Sequence, residues 1–198
     1  MRRIHLVAFV LLLATAAPAI AQTPSEPVSA HPVGWWGGVG GGFSAIRFAC
    51  KDCGDQQPVY ESGAVAVAVG KSIGKRVAFG VEVASAFPSN KNGTKVTASS
   101  VAGLARWYPS ASPFYVKFSL GLSRVRAALA GTESEIRNGT GIAFGAGYDV
   151  RVHRSFALTP YAGWYMSAIG EIGAGDPATH KQDVSWNTWT FGVGFTIF

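Results

Sequence analysis

The chain has 198 residues with 17 Lys and Arg against 11 Asp and Glu, a net charge of +6, yet only 14% of its residues are charged. No Lys/Arg run is dense enough for a nucleic-acid surface, and no segment beyond the leader holds the roughly 18 consecutive apolar residues of a transmembrane helix. Residues are 48% hydrophobic and include 25 glycines, so the apolar content has to be carried by another pattern.

The first residues set the compartment. Arg2 and Arg3 precede an apolar run, Leu6–Leu13, and Ala19-Ile20-Ala21 is a small-x-small site before Gln22. That order is a secretory signal peptide cleaved between Ala21 and Gln22, the apolar run being too short for an anchor. Residues 1–21 are therefore expected to be a leader. Residues 22–33 carry three prolines and no periodicity and are expected to be an extended linker. Residues 34–198 are expected to form one domain.

From Gly34 onward, segments of 12 to 15 residues with period-two patterning follow one another, and each predicts a strand. Gly34–Phe48 sets Val39, Phe43 and Ala45 against Gly38, Gly40, Gly42 and Ser44. Ser62–Ile73 sets Val65, Val67 and Val69 against Ala64, Ala66 and Ala68. Arg76–Phe87 opposes Val77, Phe79, Val81 and Val83 to Ala78, Gly80, Glu82 and Ala84. Lys95–Tyr108 puts Val101, Ala105 and Trp107 on one face and Arg106 on the other. Phe114–Arg126 alternates Phe114, Val116, Phe118, Leu120 and Leu122 with Tyr115, Lys117, Ser119, Gly121 and Ser123. In Thr140–Val152, Asp149 and Arg151 fall on the glycine side, opposite Ile142, Phe144 and Tyr148. Phe156–Ala168 opposes Leu158, Ala162, Trp164 and Met166 to Thr159, Tyr161, Gly163 and Tyr165. Trp186–Phe198 closes the series with Trp189, Phe191, Val193, Phe195 and Ile197 facing away from Thr190, Gly192, Gly194 and Thr196.

Connections alternate in length. Gly74-Lys75, Pro109–Pro113 and His153–Ser155 are short; Ala49–Glu61, Pro88–Thr94, Ala127–Gly139 and Gly170–Ser185 are longer and richer in charge. The eight segments predict an all-β fold, an eight-stranded antiparallel up-and-down transmembrane β-barrel. A lumen that narrow holds only the small-residue face, so the Val/Phe/Leu face points into lipid. Aromatics gather toward strand ends: Trp35, Trp36, Trp107, Tyr108, Phe114, Phe156 and Phe198 are expected at the short-turn interface. Phe87, Trp164, Trp186 and Trp189 are expected at the other.

On the strength of this pattern, the leader and the terminal Phe198, the chain resembles the small bacterial outer-membrane barrels: the OmpA-type transmembrane domain, outer membrane protein X and the opacity-type surface proteins. The resemblance implies the bacterial outer membrane, with both termini and the linker in the periplasm and the long loops outside. It also implies a C-terminal sorting signal at Phe195, Ile197 and Phe198 read by the barrel-assembly machinery. Its final strand departs from the family in having Thr196 two residues from the end, where a second aromatic is usual. By similarity the expected function is non-enzymatic: a monomeric structural or adhesin-like protein whose loops meet a surface ligand, surrounded by outer-membrane lipids. A narrow porin is the alternative, and a lipid A-modifying enzyme a more distant one. No cofactor, metal or nucleic acid is implied.

The candidate chemistry is sparse. Glu82, Arg106, Lys117, Asp149 and Arg151 share the inward face and form either a buried ion-pair network that shuts the lumen or a very narrow ion path. Cys50 and Cys53 flank a loop tip in an oxidising compartment, where a disulfide is the expected state; a redox pair or half of a metal site are the other readings. His153-Arg154-Ser155 superficially resembles the His-x-Ser of lipid A deacylases, but Phe156 stands where that family has Asn, and the triplet falls in a short turn. His180 has Asp176 and Asp183 nearby at irregular spacing, as on a solvated loop. Asn92-Gly93-Thr94 and Asn138-Gly139-Thr140 read as turns at loop-to-strand joins.

Overall fold

The structure, a computed structural model, describes residues 33–50, 59–88, 95–109, 112–128, 135–172 and 182–198. Nine strands account for nearly all of them: β1 (Gly34–Cys50), β2 (Val59–Ile73), β3 (Val77–Pro88), β4 (Lys95–Trp107), β5 (Phe114–Ala128), β6 (Glu135–Tyr148), β7 (Val150–His153), β8 (Phe156–Ile172) and β9 (Gln182–Ile197). Consecutive strands pair antiparallel from β1 through β6 and from β7 through β9, β1 pairs with β9, and β6 as well as β7 pairs with β8, so the sheet closes on itself. β6 and β7 form one stave broken at Asp149, which makes eight staves in all.

The expected strands are in place, with three differences. The sixth, expected unbroken over Thr140–Val152, is interrupted where the Asp149 N–H leaves the ladder to donate to the Pro113 carbonyl at 3.0 Å. Strands also run farther toward the long-loop end than the apolar patterning suggests, as in β5 to Ala128 and β8 to Ile172. Ladder hydrogen bonds need only a paired backbone, so the sheet continues past the last lipid-facing side chain. Asn138-Gly139 accordingly lies within β6, opposite Arg124 and Ser123, and is not a turn.

Period-two patterning sorts the side chains as expected. Val65, Val67, Val69, Leu120, Leu122, Phe191 and Phe195 are exposed on the outside, with Phe43 77% exposed, while Ala68, Ala78, Ala102, Ser119 and Thr196 are buried within. In water a sheath of this kind would cost far more than the small lumen returns; in hydrocarbon it is matched to its solvent. An aromatic stripe crosses this outer wall, Phe118 to Phe144 at 5.3 Å between centroids, then Trp164 at 6.2 Å and Trp189 at 6.1 Å.

Short turns and long loops segregate to opposite ends. The β2–β3 turn is made by Gly74, whose φ of +71° is the left-handed region that a glycine enters without penalty. Backbone bonds lace this rim: Tyr108 N–H to the Arg76 carbonyl at 2.7 Å and Phe198 N–H to the Ser155 carbonyl at 2.9 Å. Outside it, Trp35 stands 72% exposed beneath Lys71, whose Nζ lies 5.9 Å from the ring centroid, as befits an interfacial belt.

Besides Phe198, which leans inward at the short-turn rim, three aromatics expected in the belts turn inward instead. Trp36 (2% exposed), Tyr108 (0%) and Trp186 (4%) lie in the lumen. Parity explains each. Trp36 alternates in step with Gly38, Trp186 with Thr188 and Tyr108 with Arg106, so they belong to the inner face whatever their height in the membrane.

Candidate functional site

The lumen has three zones. At the short-turn end Trp36, Leu104, Tyr108 and Tyr115 pack with Ala68 and Ala78, and Phe198 leans against them. The Arg106 guanidinium is wedged among these rings, its Cζ 4.0 Å from the Trp36 centroid and 4.8 Å from that of Tyr115. A cation between two aromatic faces is stabilised electrostatically, by about 1–2 kcal/mol per ring when desolvated. Glycines make the wedge possible: a Cβ on Gly70 or Gly80 would strike the Trp36 ring, and one on Gly147 the Tyr115 ring.

Asp149 sits at the same end, nearly fully buried. Its Oδ2 accepts from the Tyr108 hydroxyl at 3.1 Å and its Oδ1 from Thr159 Oγ1 at 2.8 Å, and Thr159 continues to Thr196 Oγ1 at 3.0 Å. Arg151 lies at the rim over the Phe198 ring, 4.5 Å from its centroid, and donates from Nη1 to the Arg154 carbonyl at 3.2 Å.

Mid-lumen, Lys117 Nζ bonds both carboxylate oxygens of Glu82 at 2.8 Å. The pair borders a cavity of about 140 Å³, lined also by Ser119, Thr159, Tyr161, Thr188 and Thr190. Arg106 Nε and Nη1, Ser119 Oγ and Thr188 Oγ1 are buried without a hydrogen-bond partner among the described residues. Polar atoms around a space this large call for water.

At the long-loop end Ile46, Ala86, Ala98, Ile169 and Trp186 form a second apolar layer, with Tyr60, Val125 and Tyr165 packed on it. Tyr165 and Trp186 meet edge-on at 5.4 Å. Beside this layer Ser123 and Ser167 share a short hydroxyl contact, and Ser167 also donates to the Thr140 carbonyl at 3.0 Å.

The five inward charges fall in two groups: Glu82 with Lys117 at mid-lumen, and Arg106, Asp149 and Arg151 together at the short-turn end. There Tyr108 adjoins both Arg106 and Asp149, and the Asp149 carboxylate lies electrostatically close to both arginines. Glu82 and Lys117 form an ion pair, Arg106 is held by rings, Asp149 by hydroxyls, and Arg151 by the terminal ring and a turn carbonyl. Sequence reasoning missed Trp36, Tyr108 and Trp186 as luminal groups, although the parity that placed Arg106 inside also places them there. His153-Arg154-Ser155 is a turn: His153 stacks on Phe156 at 5.7 Å and its Nδ1 accepts the Ser155 N–H at 3.3 Å. Phe195 and Ile197 face outward, whereas Phe198 tucks against the luminal cluster. Cys53, the Ala21-Gln22 junction, Asn92 and the Asp176/His180/Asp183 group lie outside the described residues, as does the side chain of Cys50. Among the described residues no group of three His, Cys, Asp or Glu side chains could hold a metal ion.

An apolar exterior, a polar enclosed lumen and end-segregated loops define a small eight-stranded transmembrane β-barrel of the bacterial outer-membrane type. Solved structures share this fold. Neisserial surface protein A is 15% identical, over 82% of this chain and 96% of that one, with a TM-score of 0.55. Ail, the attachment invasion locus protein of Yersinia pestis, is 15% identical, over 83% and 99%, with a TM-score of 0.50. No protein-family model and no curated protein matches the chain.

Proposed function

We propose that the protein works at the cell surface, where an outer-membrane barrel with a shut lumen presents its long-loop end to external ligands. The observation that carries this reading is the pair of side-chain layers at the two ends of the lumen, one around Trp36 and Arg106, the other around Ile46 and Trp186. A solute would have to pass both, so the loops following β1, β3, β5 and β8 are the surface where the molecule meets its surroundings. Two proteins of the same fold are named for surface exposure and attachment, in keeping with that placement.

The test is attachment. Displayed on a non-adherent bacterium, the protein should raise binding to epithelial cells or immobilised matrix proteins. Replacing residues 173–181 by an Asn-Gly turn should reduce that binding while leaving heat-modifiable gel mobility intact. Attachment no better than that of the empty host, together with stable single-channel currents in planar bilayers, would replace this reading with a narrow porin.

A further inference from the structure

The outer face of β5 changes character abruptly. Phe114, Val116, Phe118, Leu120 and Leu122 form an exposed apolar column, and the next two residues on the same face are Arg124 and Arg126, both exposed. At about 3.4 Å per residue, Phe114 to Leu122 covers about 27 Å of strand. Tilted by about 40°, that is about 21 Å of height, close to the apolar band of about 25 Å that such barrels present. Arg124 therefore lies about 5 Å and Arg126 about 10 Å above the top of the column, in the headgroup layer of the outer leaflet.

These guanidiniums are set for an anion. Arg124 Nε donates to Asn138 Oδ1 on β6 at 2.9 Å, which holds the fork while leaving its Nη groups free of that contact. Ser99 and Thr97 on β4 stand opposite Arg124 and Arg126 in the register, the Ser99 hydroxyl donating to the Arg124 carbonyl at 3.5 Å. Neither β4 nor β5 contains an acidic residue, and β6 has only Glu135 at its first position. Arg47 on β1, at the same end of the barrel, differs: Glu61 on β2 lies diagonally across from it, opposite Ala45.

We infer that Arg124 and Arg126, with Asn138, bind the phosphate of an outer-leaflet lipid whose acyl chains lie along the Leu120/Leu122 column. Charge complementarity selects a phosphate, and a planar guanidinium can bond two of its oxygens at once. The apolar column selects an amphiphile over a free anion, because any molecule reaching the pair from the membrane side presents its chains to Leu122, which is 67% exposed. This site is independent of what the loops bind.

Native mass spectrometry of the purified full-length protein, titrated with bis-phosphorylated lipid A, tests it. R124Q/R126Q should weaken retention of the lipid about tenfold, and Asn138→Asp, which sets a carboxylate against Arg124, should weaken it as well. A K75Q/R76Q control, which removes two cations from the opposite rim, should bind like wild type. Dephosphorylated lipid A should bind poorly to all of them. Unchanged retention by R124Q/R126Q, equal loss in K75Q/R76Q, or equal retention of the dephosphorylated lipid would each overturn the site. Displacement by inorganic phosphate at the same concentration would overturn its assignment to a lipid.

Discussion

Inside this barrel the large side chains fit because particular glycines leave room for them. Tyr115 lies against Gly147, Tyr165 against Gly141, and Trp36 against Gly70 and Gly80. Gly147→Ala would push its methyl into the Tyr115 ring and pry that ring from Arg106, so it should destabilise the folded protein by about 1–3 kcal/mol in urea unfolding from lipid vesicles. Gly63 gives the contrast. Its added Cβ would meet nothing within 4 Å, and Gly63→Ala should be neutral or stabilising by up to about 1 kcal/mol in the same assay. The Glu82–Lys117 pair calls for a different comparison. Lys117→Met alone strands a carboxylate in the lumen and should cost about 2–3 kcal/mol, less than the 3–5 kcal/mol of a dry pair because the neighbouring cavity can admit water. The double variant E82Q/K117M should recover most of that loss; if it instead shows the sum of the two single losses, the pair is not coupled in the folded state.

At the scale of elements, the break between β6 and β7 depends on Asp149, which spends its backbone N–H on Pro113 and its carboxylate on Tyr108 and Thr159. Asp149→Ala removes both acceptors from buried hydroxyls and should cost about 2–4 kcal/mol; Asp149→Asn, which keeps one acceptor and the shape, should cost about half as much, read from the same unfolding midpoints. The strands themselves were legible in the sequence because a half-lipid, half-lumen sheet imposes strict alternation, and Phe114 through Ser123 could scarcely be written otherwise. Inside and outside were legible too, since Gly and Ala mark the face with no room. The break at Asp149 was not, because alternation continues unchanged through Gly147, Asp149 and Arg151 while only the backbone ladder is interrupted. Trp36 and Trp186 were misplaced for a related reason: height in the membrane suggested a belt, but parity fixes which way a strand residue points. Among the inward charges, the sequence showed which residues share the lumen. It could not show which partner each would take, because that depends on register across intervening strands, as when Glu82 on β3 reaches Lys117 on β5 over β4.

Taken whole, the molecule on the proposed reading is a cylinder closed by two side-chain layers in series, one around Trp36 and one around Trp186. Two barriers in series predict that opening either end alone does nothing. Trp36→Ala with Arg106→Ala should leave planar bilayers silent, and so should Ile46→Gly with Trp186→Ala. The quadruple variant should give discrete currents, provided heat-modifiable mobility shows that it folds. Currents from either double variant would mean that one of the two layers is no barrier.

The seam where β1 meets β9 joins residues some 150 positions apart in the chain, such as Gly40 with Gly194 and Gly42 with Gly192. Both inner faces there are glycine, and the Tyr161 ring from β8 lies across them, against Gly40 and Gly192. Joining such distant segments carries the largest loop-closure entropy of any pairing in the sheet, so the seam is where folding finishes. Tyr161 meets Gly192 within the β8–β9 pair but meets Gly40 only once β1 has joined β9, which makes it a clasp across that closing seam.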